Sequence, residues 1–117
     1  MQLIKSNTIN NNKNNLIFFS KEELKIILQV YSHQVSIGIC RDYAIDCNNQ
    51  KAIFSFFRNT YDKPIFQIEK NIKKKNLNLF EFHLTYNEKI IVKNISIKKI
   101  LNILHRKFEL FKVNKKG

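Results

Sequence analysis

Charged and aromatic side chains alternate most densely between Arg41 and Lys70, in the run RDYAIDCNNQKAIFSFFRNTYDKPIFQIEK. The residues of that run whose types could do chemistry are Arg41, Asp42, Asp46, Arg58, Glu69 and Lys70. On extended backbone Arg41, Tyr43 and Ile45 face one way and Asp42, Ala44 and Asp46 the other, while Glu69 falls on the face opposite Lys70. These six residues are the candidate binding surface. They mix both signs, which suits a specific partner better than a featureless polyanion. Cross-strand ion pairing on a solvated face would use the same residues without any further role. Catalysis would draw on Asp42, Asp46, Glu69 and His83 as an acid–base set. No nucleophile elbow surrounds Ser55, Cys40 or Cys47, and a small chain has little room for a pocket of titratable groups. No catalytic residue is therefore expected.

Other reactive types are scattered. His33, His83 and His105 fall on three different predicted elements, and Cys40 and Cys47 match neither a CxxC redox pair nor a zinc knuckle, so no metal site is expected. Gly38 and Gly117 are the only glycines, too few for a loop that wraps a phosphate in backbone amides. No cofactor is expected.

The 117 residues suit a single domain, and 44% hydrophobic content is enough to build a core. Lys+Arg 21 against Asp+Glu 9 gives a net charge of +12, the balance of a protein that meets nucleic acid, an acidic partner or an anionic membrane surface. Lysine supplies nearly all of it, alongside abundant Asn, Ile and Phe, whose codons are rich in A and T. Base composition alone would produce the same surface. No apolar segment approaches membrane-spanning length and no secretory signal is visible, so a cytoplasmic protein with reduced thiols is expected.

The elements that must carry the candidate residues can be read in order. Residues 1–15 form a polar tract expected to be flexible, with Leu3-Ile4 able to add a short edge strand. Ser20 and Glu23 make a capping box, Phe19 and Leu24 stand at the staple positions, and Leu24, Ile27, Leu28, Tyr31 and Val35 form an apolar stripe. A helix from about Lys21 to Ile37 follows, stopped at Gly38. The period then changes to two. Asp42–Asp46 and Ala52–Arg58 read as a hairpin across Asn48-Asn49, Ile65–Lys70 as a third strand after Pro64, and Asn71–Asn78 as a lysine-rich loop. Phe80, Phe82 and Leu84 alternate with Glu81, His83 and Thr85, and Tyr86-Asn87-Glu88 turns that strand into Lys89–Lys93. Ser96 caps a second helix, with Ile95 and Ile100 as its staple and Ile97, Ile100, Leu101 and Leu104 as its stripe. Phe108, Leu110 and Phe111 continue it or form a short strand before residues 114–117 fray. The expected fold is α+β: a five-stranded, mainly antiparallel sheet with two helices on one face, in a domain spanning residues 16–113.

Three of these segments carry a resemblance. RDYAID at Arg41–Asp46, A-x-F-S-x-F-R at Ala52–Arg58 and P-I-F-x-I-E-K at Pro64–Lys70 resemble a family of short alphaproteobacterial proteins classed as a domain of unknown function. Phe19, Glu23 and Leu24 at the first helix extend the resemblance, and Ile90–Leu104 does so weakly. Gln67 and Asn94 depart from the family, which tends to a basic residue and a glycine there. The resemblance implies a bacterial cytoplasmic protein without an assigned activity. The reading drawn from all of this is a non-catalytic binding module with a basic surface for nucleic acid or a ribonucleoprotein. The alternative is a protein–protein adaptor that uses the Arg41-to-Lys70 face or an open sheet edge.

Overall fold

The computed structural model describes residues 15–116, with side chains as far as Lys112. Within it, α1 (Lys21–Ser36) precedes five strands, β1 (Asp42–Cys47), β2 (Lys51–Phe57), β3 (Phe66–Lys74), β4 (Leu79–Tyr86) and β5 (Lys89–Asn94), and α2 (Ile97–Lys116) closes the chain. The strands form one antiparallel sheet in sequence order. The α+β fold read from the sequence is the observed one. The expected flexible tract and the Leu3-Ile4 strand lie outside the described residues, except for Asn15.

Local chemistry explains most boundaries. The Ser20 hydroxyl accepts from the Glu23 amide at 3.0 Å and the Glu23 carboxylate accepts from the Ser20 amide at 2.7 Å, so the capping box is complete. Gly38 takes φ +82°, and the amides of Gly38 and Ile39 donate to Val35 O and Gln34 O, the paired bonds that end a helix in a left-handed residue. Asn48 holds the first hairpin by accepting from the Gln50 and Lys51 amides through Oδ1, not by taking the left-handed conformation its residue type tolerates. At the second hairpin Asn87 and Glu88 do take positive φ, 52° and 68°, matching the twist of the flanking strands.

One sheet face carries the core. Phe54, Phe56, Phe66, Ile68 and Leu84 point the same way, and Tyr31 of α1 and Phe108 of α2 close on them from above. The Phe108 ring lies edge-on to Phe56 and Phe66, with centroids 5.5 and 4.7 Å away, and Tyr31 lies edge-on to Tyr43 at 4.9 Å. Aromatic pairs of this kind contribute roughly 0.5–1.5 kcal/mol each beyond the area they bury.

The structure departs from the sequence reading in three places. Asn71–Asn78 is not all loop: β3 runs on to Lys74, and the chain leaves the sheet only for the 3-10 turn Lys75–Leu77 and the left-handed Asn78. The pairs Ile72 with Phe80 and Lys74 with Leu79 keep the backbone satisfied there, which no apolar pattern in β3 could reveal. Of the two continuations read for Phe108, Leu110 and Phe111, the helix is the observed one, with its backbone helical to Lys116. Ile95 is 60% exposed and does not bury as a staple should, unlike Phe19 at 6%. Finally Val35 is 43% exposed, and Gln34 takes its place in the core, fully buried because the Ile39–Cys40 turn folds back onto it.

Gln34 is a defect of the core, since neither Nε2 nor Oε1 has a hydrogen-bond partner among the described residues. A buried amide without partners costs about 1–3 kcal/mol relative to one that is satisfied. Gln34→Leu should therefore stabilise the fold by about 1 kcal/mol, raising the thermal midpoint by roughly 4 °C. A lower midpoint by calorimetry would show that the amide is satisfied in solution.

Candidate functional site

The six candidate residues do not converge. Asp42 and Asp46 lie on the sheet face away from the helices, opposite Phe57 and Ile53 on β2. Four residues apart on one strand, they stand about 13 Å from each other, too far to share a proton. Arg41 is exposed just before β1, where its amide donates to Phe57 O. Arg58 follows β2, half-buried beside the Cys40 thiol. Glu69 shares the open face with the aspartates, whereas Lys70 points into the helical layer.

Lys70 is 7% exposed, and its ammonium donates to Phe18 O and to Glu23 Oε1, both at 2.9 Å. It also lies 4.5 Å from the centroid of the Phe80 ring. With all its partners internal, Lys70 ties α1 to β3 and presents no charge to a ligand. Strand alternation placed it opposite Glu69. The burial was not legible, because it depends on where α1 lands.

Glu69 belongs to a polar network across β2, β3 and β4. Its carboxylate lies 3.3 Å from Lys51 Nζ and 3.7 Å from His83 Nδ1. The Asn71 amide lies 3.2 Å from His83 Nδ1, and His83 Nε2 lies 3.1 Å from Glu81 Oε1. An imidazole protonated on Nε2 fits both contacts, donating to Glu81 and accepting from Asn71. Lys73 reaches the other Glu81 oxygen at 3.5 Å. Next to it Gln67 donates to Ser55 Oγ and accepts from Thr85. Both ring nitrogens of His83 are engaged and its side chain is 13% exposed, so it is not poised to take a proton from a substrate. Of the acid–base set read from the sequence, Glu69 and His83 are neighbours, and Asp42 and Asp46 stand apart on β1.

Burial pushes the Cys40 thiol up to about 12 despite the nearby Arg58, and burial with the Asp46 charge raises Cys47, so the thiolate, the reactive form, is disfavoured at both. No group of His, Cys, Asp and Glu among the described residues is arranged to hold a metal. No described helix is long and apolar enough to cross a membrane.

Positive charge collects elsewhere. α2 carries Lys98, Lys99, Arg106, Lys107 and Lys112, with Glu109 as the single acid among its described side chains, itself 3.7 Å from Lys112. The open sheet face carries Asp42, Asp46, Glu69 and Glu81 against Lys51, Lys73 and Lys93. Between α1 and α2 runs a groove of about 460 Å³ floored by Ile26, Val30 and Leu101. Gln29 and His33 line it from α1, and Lys98, Asn102 and His105 from α2, with no carboxylate among the lining residues. The two imidazole centroids are 6.1 Å apart. The sequence reading missed this site because its residues lie on two helices separated by the whole sheet. The only signal was three lysine and arginine pairs spaced along the last helix.

With this geometry in hand, the chain was compared with known proteins. The model of a family described as protein of unknown function (DUF2794) matches residues 17–101. The chain is a member of the DUF2794 family. No curated protein and no solved structure matches it. The resemblance to a family of unknown function, read from the central strands, holds at that level. The DUF2794 match begins at Ile17, whose amide donates to Asn48 O at the first hairpin, and it takes in α1, the whole sheet and the first turn of α2.

Two outcomes follow from the site. Lys70→Ala should cost about 2–3 kcal/mol in urea unfolding, somewhat below a fully buried ion pair because Glu23 keeps its bond to the Ser20 amide; a cost under about 0.5 kcal/mol would remove Lys70 from the framework. The His83 hydrogen bond, reinforced by Lys73 and opposed by desolvation, holds the Glu81 carboxyl below its ordinary range. A depressed folded-state value stabilises the fold above the unfolded-state value and loses that contribution as pH falls through the folded one. Glu81→Gln should accordingly be less stable than the native chain at neutral pH and indistinguishable from it in strong acid. Equal curves at every pH would contradict the linkage.

Proposed function

We propose that this DUF2794 protein is a non-catalytic binding module that contacts nucleic acid, free or within a ribonucleoprotein, through the basic side chains of α2. The observation that carries the reading is the segregation of charge: Lys98, Lys99, Arg106, Lys107 and Lys112 gather on one helix, against a sheet face where acids and bases are mixed. Lys98 and Lys99 sit in the first turn of α2, where the helix dipole disfavours cations and no acidic residue offsets them. A surface of this kind binds phosphates by releasing counterions, so it positions a nucleic acid without reading its sequence.

Base stacking has little part in it. Phe54, Phe56, Phe66 and Phe82 are buried in the core and unavailable to bases, and the exposed Tyr43 and Tyr61 lie on β1 and between β2 and β3 rather than on α2. Binding should therefore differ little between single- and double-stranded forms. The adaptor reading is supported by β1, an edge strand on which Tyr43 and Ile45 are each 40% exposed beside Asp42 and Asp46.

Fluorescence anisotropy of the full chain with labelled single- and double-stranded RNA and DNA should show affinity falling steeply with salt. Lys99→Glu with Arg106→Glu should weaken binding at least tenfold at low ionic strength, and Asp42→Lys with Asp46→Lys should not weaken it. No salt-dependent binding by the native chain would overturn the proposal. A protein partner that survives nuclease treatment and is lost in the Asp42/Asp46 variant would favour the adaptor.

A further inference from the structure

Two sets of polar side chains differ in commitment. On the open sheet face Lys51, Glu69, Asn71, Glu81 and His83 bond one another. In the groove between α1 and α2, Gln29, His33, Lys98, Asn102 and His105 line one space, and none of these side chains has a hydrogen-bond or ion-pair partner among the described residues. Apart from the ring contact of the two histidines, all five are uncommitted.

Their placement is regular. Gln29 and His33 are one turn apart on α1, and Lys98, Asn102 and His105 follow one another at four- and three-residue steps on α2, so each helix offers a row of donors to the other. The amides, the ammonium and the imidazoles together supply N–H donors, and no lining residue is an anion. Two imidazole rings 6.1 Å apart leave a separation that N–H···O bonds of about 2.9 Å can span to oxygens of one bound group. The groove is open and shallow, which suits a group presented on a chain better than an enclosed small molecule.

We infer that the α1–α2 groove is a phosphate site, held by His33, His105 and Lys98 with Gln29 and Asn102 completing the donor set. On the reading proposed above, from which this inference descends, it seats one backbone phosphate of the nucleic acid while Lys99 and Arg106 follow the strand outward. Two histidines make the site sensitive to pH, since each gains a positive charge and a second donor on protonation. The charged groups facing them are Lys98 within the groove, Arg106 beside His105, and Glu109 one turn beyond His105, which lies against Lys112.

The test uses the full chain, the His33→Gln/His105→Gln double variant and, outside the groove, Lys99→Gln/Arg106→Gln. All the altered residues are exposed, and unchanged unfolding midpoints would verify that the variants fold. Nucleic-acid affinity of the native chain should rise at least fivefold from about pH 8 to about pH 5.5 at constant ionic strength, through the range in which histidines gain a proton. The histidine variant should lose that rise, and Lys99→Gln/Arg106→Gln should bind more weakly yet keep it. Lys98→Gln should lower the slope of log affinity against log salt by about one. Separately, adding pyrophosphate should shift the imidazole proton resonances of His33 and His105 and leave that of His83 unmoved. A histidine variant with the native pH profile, or pyrophosphate shifts no larger at His33 and His105 than at His83, overturns the groove while the proposed function stands. Selective pyrophosphate shifts without nucleic-acid binding support the groove and overturn the proposed function.

Discussion

A single carboxylate oxygen joins the two layers of this protein. Glu23 Oε1 accepts from the Ser20 amide at 2.7 Å and from the Lys70 ammonium at 2.9 Å. The first bond completes the cap of α1, and the second anchors that cap to the middle strand of the sheet. Lys70 spends a further donor on Phe18 O, which pins the segment leading into the helix. Burying an ammonium is tolerable only where its donors are met, and here a carboxylate, a carbonyl and the face of Phe80 meet them. This contact fixes the N-terminal end of α1 over the sheet.

That anchoring decides which face is free for partners. With both helices on one side, the aromatic rings of the central strands become core, and the opposite side keeps a polar layer in which Lys51, Glu69, Asn71, Glu81 and His83 bond one another. Ser55 and Thr85 are buried even there, because Gln67 bridges them. Such a layer is a finished surface, and its ion pairs contribute little individually. The helical side is different in kind. The donors that line its groove are exposed, face no carboxylate and have no partner among the described residues, the condition under which an anionic ligand gains most from arriving.

Much of this architecture was legible in the sequence wherever a local rule governs the backbone. Ser20 with Glu23, Gly38, and the strict alternation of Phe80, Phe82 and Leu84 each specify a conformation by themselves, and each is found as read. Where the outcome depends on a partner far along the chain, the local signal failed. Lys73 and Lys74 look like loop residues but extend β3 because β4 offers them partners. Gln34 looks like a polar residue beside the stripe and Val35 like part of it, yet the turn at Ile39–Cys40 reverses them.

The candidate site shows the same division more sharply. The sequence by itself determined the element order, the antiparallel pairing, the opposite facing of Glu69 and Lys70 and the excess of positive charge, because alternation, capping and composition are properties of neighbouring residues. Only the tertiary structure decided that Lys70 is interior, that Glu69 and His83 are satisfied within a network, and that His33 and His105 face each other across a groove. Those facts follow from the docking of two helices that lie on either side of the sheet in sequence. Docking is set by the summed packing of Tyr31, Phe54, Phe56, Phe66 and Phe108, which no short window of residues contains.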